Sequence, residues 1–224
     1  MKLKGVSIGY RQPIVEDIDA DLCPGSFVCL TGRNGTGKST LLKTLAGIIS
    51  PLSGSIELED RLLSDYKPSE LARKVGLVLT RVPELPNTTL RELVAYGRLP
   101  YASWLGRFSD NDYQAADRAI GIMGIGHLAL RLVSQLSDGE RQKTMIARAL
   151  AQGTDYLLLD EPAAFLDYES RQELMTTLKK LATEQQKAIL LSSHDQDLVR
   201  HYADIVWNIT DKKLVANRNR KATL

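Results

Sequence analysis

The sequence predicts an α/β fold: a mostly parallel sheet flanked by helices, with an antiparallel β-subdomain and an inserted helical subdomain. Three observations predict it. Residues 155–159 and 188–193 are continuous apolar runs, as strands of a parallel sheet covered on both faces should be. Residues 169–183 between them read as a helix, which gives a strand–helix–strand unit. The stretch from about 81 to 150 reads as helical, which fits an insertion into an α/β core.

Each element follows in order. Residues 3–10 and 14–22 read as strands, with alternation at Ile18, Ala20 and Leu22. Pro24-Gly25 turns the chain, and residues 26–31 form the next strand. Residues 55–59 alternate again. Residues 69–74 can form a short helix before a strand from Val75 to Leu79. Residues 89–97, 111–124 and 138–151 read as helices. The expected organisation is one domain over 1–224. Its core and β-subdomain occupy 1–80 and 152–224, and its helical subdomain occupies 81–151.

Composition narrows the function classes. A length of 224 residues with 43% hydrophobic residues is ordinary for a globular domain. The net charge of +2 makes no electrostatic case for a nucleic-acid partner. The one basic cluster, Arg218, Arg220 and Lys221, reads as a solvated tail. No apolar run approaches the roughly 20 residues of a membrane span, and the N-terminus lacks the apolar stretch of a signal peptide. Cys23 and Cys29 are too few for a disulfide framework or a zinc site. Cys29 sits in an apolar strand and reads as core. The expected compartment is the cytosol.

The motif that carries chemistry is Gly32-Arg33-Asn34-Gly35-Thr36-Gly37-Lys38-Ser39, followed by Thr40. It fits the phosphate-binding pattern G-x-x-x-x-G-K-[ST] and lies between a strand-like and a helix-like run. Gly32, Gly35 and Gly37 let the backbone wrap so that N–H groups point at phosphate oxygens. Lys38 would reach the β- and γ-phosphates, Ser39 would ligate Mg²⁺, and the following helix aims its positive end at the same place. The core is therefore expected to be a P-loop nucleotide-binding core. Downstream, Tyr156-Leu157-Leu158-Leu159 ends in Asp160 and Glu161. An apolar strand ending in paired acids suits Mg-nucleotide hydrolysis: Asp160 holds the ion, and Glu161 polarises the attacking water. Ser137 and Glu140 have capping-box spacing, so a helix should begin there, and Gly139 leaves its backbone open to close approach.

With these motifs in place the chain resembles the ATP-binding-cassette ATPases over nearly its whole length. Gly32 to Ser39 is similar to the Walker A motif, Leu136 to Glu140 to the signature, and Leu157 to Glu161 to Walker B. Ala164-Phe165-Leu166-Asp167 is similar to the D-loop, and His194 to the switch histidine. Tyr10 matches the aromatic residue that stacks on adenine, although a surface tyrosine at a strand end is the alternative reading. His194 could likewise simply cap a strand, and Asp167 a turn. The resemblance implies ATP and Mg²⁺ as cofactors, with Glu161, His194 and Lys38 catalytic. It implies nucleotide contacts from Tyr10, residues 32–40, Ser137 and Gly139. It also implies a head-to-tail dimer with a second copy, each ATP lying between the Walker A of one and the signature of the other.

Two departures stand out. The family places a glutamine after the strand that enters the helical lobe; here Val75 to Leu79 is followed by Thr80, and no glutamine occurs between Gln12 and Gln114. Thr80 is expected to take that place in the metal set with Ser39 and Asp160, through a bridging water or a loop shift. The signature carries Asp138 for glycine and Glu140 for glutamine. These acids suit a helix N-terminus but would repel phosphate, so both are expected to point away.

The segment Thr89 to Tyr101 looks like that of importers of iron–siderophore complexes, haem and cobalamin. That resemblance implies an integral membrane permease with an external substrate-binding protein, and a cytoplasmic cassette peripheral on the inner face of the membrane. The rival is a soluble scaffold or assembly ATPase without a permease. The signature and adjacent acids argue against a P-loop kinase.

Overall fold

The computed structural model describes residues 1–80, 86–103 and 106–219. Two sheets and two sets of helices are built around two hydrophobic clusters. The first sheet is antiparallel, in the order β2-β1-β4-β5: β1 (Lys2–Gly9), β2 (Pro13–Asp21), β4 (Ser53–Leu58) and β5 (Arg61–Leu62). β1 alternates polar and apolar, and its inward Leu3, Val6 and Ile8 are almost fully buried. The register slips between Leu3 and Val6 and between Val6 and Ile8, where bulges bend the ribbon.

The second sheet runs β10-β9-β3-β8-β7-β6. It comprises β3 (Phe27–Gly32), β6 (Val75–Val78), β7 (Tyr156–Leu159), β8 (Ala188–Ser192), β9 (Ile205–Thr210) and β10 (Lys213–Arg218). All neighbours are parallel except β10, which closes one edge antiparallel to β9. Every residue of β7 and β8 is buried. That explains their unbroken apolar sequence: each strand is covered on both faces and has no wet side to alternate toward.

Helices cover this sheet. α1 (Lys38–Leu45) follows β3 and buries Leu41, Leu42 and Leu45, a burial of roughly 1.5–3 kcal/mol per side chain. α2 (Pro68–Leu71) is a single turn with proline at its start. α3 (Leu90–Ala95), α4 (Asp110–Ile122) and α5 (Asp138–Ala151) pack on one another, and all three begin with complete capping boxes. α6 (Tyr168–Gln185) and α7 (Gln196–Tyr202) flank β8 in sequence.

Two results differ from the sequence reading. The helix expected over 89–97 is α-helical only to Ala95 and continues as a 3₁₀ turn over Tyr96–Tyr101. Pro100 has no N–H to give the α pattern. A Cβ on Gly97 would stand 2.1 Å from the Arg148 carbonyl oxygen, so α5 approaches as close as glycine permits. After the further helix α7, the hairpin of β9 and β10 extends the sheet beyond the two late strands foreseen. Arg220 and Lys221 of the basic tail lie outside the described residues.

Candidate active site

β3, β6, β7 and β8 are parallel, so their C-terminal ends share one edge of the sheet. β3 delivers Gly32, β7 delivers Asp160 and Glu161, β8 delivers Ser192 and then His194, and β6 leads to Thr80. Open parallel sheets bind ligands at this edge.

The loop after β3 is shaped by its glycines. Gly32, Gly35 and Gly37 have φ of +148°, +80° and +104°. A Cβ on Gly37 would stand 2.9 Å from Ile14 Cγ2, and one on Gly32 2.9 Å from the Ile209 carbonyl oxygen, so no larger residue fits either place. Lys38 Nζ arches back and donates to the carbonyl oxygens of Gly32 and Arg33, at 2.8 and 3.1 Å. Burial lowers the pKa of its amine, while Glu161 and Asp160 act in the opposite direction. Thr36 Oγ1 donates to the Arg33 carbonyl at 2.9 Å, which tightens the turn. Arg33, Asn34, Gly35 and Ser39 face outward, and Thr40 is buried beneath them. The first turn of α1 carries no acid, so its positive end is left for an anion.

The carboxylates stand on a serine scaffold. Ser192 Oγ donates to Asp160 Oδ1 at 2.8 Å and accepts the Glu161 N–H at 2.8 Å. Ser192 is fully buried, and it was not legible as functional in the sequence. Glu161 adopts φ +49°, an unusual conformation for a non-glycine residue and one that concentrates at functional sites. His194 Nε2 lies 2.6 Å from Glu161 Oε1. Thr80 Oγ1 donates to the Asp160 carbonyl at 3.1 Å, so Thr80 reaches the acidic pair through its backbone.

The donor set suits Mg²⁺. Ser39 offers an outward hydroxyl and Asp160 a carboxylate, both hard oxygens. Among the described residues no cluster of three or more His, Cys, Asp or Glu side chains forms a self-sufficient metal cage. A Mg²⁺ ion here would complete its shell with phosphate oxygens and water, its usual habit.

The signature-like turn lies at the start of α5. Ser137 caps it, with its N–H and Oγ both donating to Glu140 Oε2 at 2.8 and 2.9 Å. Asp138 Oδ1 takes the Arg141 guanidinium at 2.7 Å. Both acids expected to point away from phosphate therefore have partners on the same helix. A Cβ on Gly139 would meet the Phe165 carbonyl and Leu166 Cδ2, each at 3.2 Å, so this turn packs on the segment after Glu161. Asp167 caps α6 through its bond from the Ser170 N–H at 2.8 Å. Tyr10 projects from the β1–β2 turn with 64% of its surface exposed.

The structure thus brings Lys38, Asp160, Glu161, His194, Thr80 and Ser39 to one sheet edge. Ser137 and Gly139 sit at the start of α5, and no described bond joins them to the phosphate loop of the same chain.

Comparison with known proteins supplies the family. The ABC transporter family profile matches residues 15–164. The iron(3+)-hydroxamate import ATP-binding protein of Bacillus subtilis is 38% identical over 192 residues, covering 85% of this chain and 71% of that one. The petrobactin import ATP-binding protein of Bacillus anthracis is 34% identical over 218 residues, covering 96% and 80%. Among solved structures, a dimeric ATP-binding cassette in a post-hydrolysis state with ADP and Pi superimposes with a TM-score of 0.85 at 26% identity. That match covers 98% of each chain.

Proposed function

This chain belongs to the ABC transporter family, and we propose that it is the Mg-dependent ATPase subunit of an importer of iron complexes, siderophore or haem, or of cobalamin. The observation that carries the hydrolytic part is the contact of His194 with Glu161 beside a glycine-shaped phosphate loop. The similarity to an iron(3+)-hydroxamate and a petrobactin import ATP-binding protein supports the substrate class.

In this reading two copies pair head to tail. Tyr10 stacks on adenine, and the N–H groups of residues 32–40 bind the phosphates. Lys38 gives up its bonds to the Gly32 and Arg33 carbonyls for phosphate oxygens. Ser137 and the backbone at Gly139 of the second copy close the site from the other side. Ser39 and Asp160 would hold Mg²⁺, with Thr80 supporting Asp160; the ion would neutralise charge on the transferring phosphate. Glu161 accepts the proton of the attacking water. His194 fixes the carboxylate that does so and turns toward the γ-phosphate when the dimer closes. Closure on ATP and reopening after hydrolysis drive a membrane permease, which an external binding protein loads with substrate. No helix among the described residues is long and apolar enough to cross a membrane, so the reading gives that task to the permease. The subunit would sit on the cytoplasmic face.

Affinity capture of the tagged chain from detergent-solubilised membranes tests this reading. A many-helix permease recovered in stoichiometric amount is the expected result. Recovery with soluble partners alone overturns the importer reading in favour of a scaffold ATPase.

A further inference from the structure

We propose that Arg171 is a positioning residue that holds His194 in register with the turn that follows Glu161. The inference rests on the reading of Glu161 and His194 as the catalytic pair. Arg171 lies in the first turn of α6. Its Nη1 meets Asp195 Oδ2 at 3.0 Å, and its Nη2 donates to the Leu166 carbonyl at 3.1 Å. Asp195 directly follows His194, and Leu166 lies in the turn that leaves Glu161. One guanidinium therefore joins the two chain segments that carry the two catalytic side chains, independently of their own 2.6 Å contact.

Both ends of this link are anchored. Asp195 Oδ1 accepts the N–H groups of Asp197 and Leu198 at the start of α7, and the Asp195 N–H donates to Ser193 Oγ. Only Oδ2 remains for Arg171. At the other end, Leu166 is buried and touches the position a Gly139 Cβ would take, so the link also reaches the signature-like turn. Among the described residues the guanidinium is held by its two terminal nitrogens, and its buried Nε has no partner there. Two bonds from one planar group to acceptors on different segments fix their relative position, and the single point charge of a lysine does not reproduce both.

On the side of the cavity, packing does not fix the histidine. A cavity of about 170 Å³ lies behind the pair, lined by Glu161, Arg171, Met175, His194, Asp195 and Leu198 among others. The His194 side chain borders this space, so the bonds at Asp195, the one from Arg171 among them, set its place. A misplacement of about 1 Å at reacting groups can cost on the order of a hundredfold in rate.

The test uses the full chain. Arg171→Ala should lower kcat for ATP roughly tenfold or more, with KM within about twofold of wild type, since the phosphate loop is untouched. Guanidinium ion at tens of millimolar should restore part of kcat by filling the vacated site. Arg171→Lys should stay impaired. Asp195→Asn keeps the helix cap and gives a second reading should Arg171→Ala fold poorly; it should lose kcat without guanidinium rescue. Wild-type kcat in Arg171→Ala or Asp195→Asn, or a loss in Arg171→Ala that guanidinium leaves untouched, overturns the proposal. Glu161→Gln run in parallel keeps the two levels apart: rapid hydrolysis in that variant refutes the catalytic pair itself, whatever Arg171 does.

Discussion

His194 Nε2 and Glu161 Oε1 stand 2.6 Å apart at the ends of two adjacent parallel strands, where Ser192 Oγ bonds the Asp160 carboxylate and accepts the Glu161 N–H. The imidazole holds one carboxylate oxygen and leaves the other for water. Replacing His194 by Ala should lower kcat on the order of a hundredfold or more, as expected when the reacting carboxylate loses its orientation, with little change in ATP affinity. Steady-state hydrolysis and equilibrium nucleotide binding measured together check this. A variant that keeps wild-type kcat would remove His194 from the mechanism.

Among the described residues, Thr80 touches the site through one hydrogen bond to the Asp160 carbonyl. A net bond of this kind is worth about 0.5–1.5 kcal/mol. Thr80→Ala should accordingly lower hydrolysis about two- to tenfold and raise the Mg²⁺ concentration needed for half-maximal rate. A Mg²⁺ titration that superimposes on wild type would reject a role for this side chain.

The strands that place these groups were the most legible part of the sequence, and the contacts between them the least. β7 and β8 stand out as apolar runs because both faces are buried. Glycines at 32, 35 and 37 announce the loop because a backbone with positive φ demands them. Ser192 gives no such signal: a serine ending a strand is common, and only the register Leu159↔Leu191 sets it beside Asp160. Arg171 is invisible for the same reason, since its partners lie 5 residues before it and 24 residues after it. The strand β9 was readable in principle from Ile205-Val206-Trp207, whose tryptophan is buried. Its partner β10 is largely exposed and carries a weak pattern.

Asp138 pairs with Arg141 at a helix start but remains 71% exposed, so its charge is only partly answered. Asp138→Gly removes a negative charge from the face that would meet ATP. It should tighten ATP-driven dimerisation several-fold while costing the helix about 0.3–1 kcal/mol. Sedimentation of a hydrolysis-deficient background across ATP concentrations measures it. Unchanged or weaker association would argue against repulsion at this place.

Cys29 is fully buried in β3, and burial pushes its thiol up to about 12. The thiolate is the reactive form, so Cys29 should be silent at pH 8 while exposed Cys23 reacts. A thiol reagent should titrate one group in the native chain and two in denaturant. Two fast groups in the native chain would contradict the placement of β3 at the centre of the sheet.

The most direct test of the account is the ATP-bound assembly of Glu161→Gln. With Mg²⁺ and ATP this variant should convert from monomer to dimer by light scattering and retain two unhydrolysed ATP per dimer. Wild type under the same conditions should form the dimer only transiently. A variant that turns ATP over rapidly, or binds it and stays monomeric, would contradict the claim that Glu161 drives hydrolysis within an ATP-closed pair of cassettes.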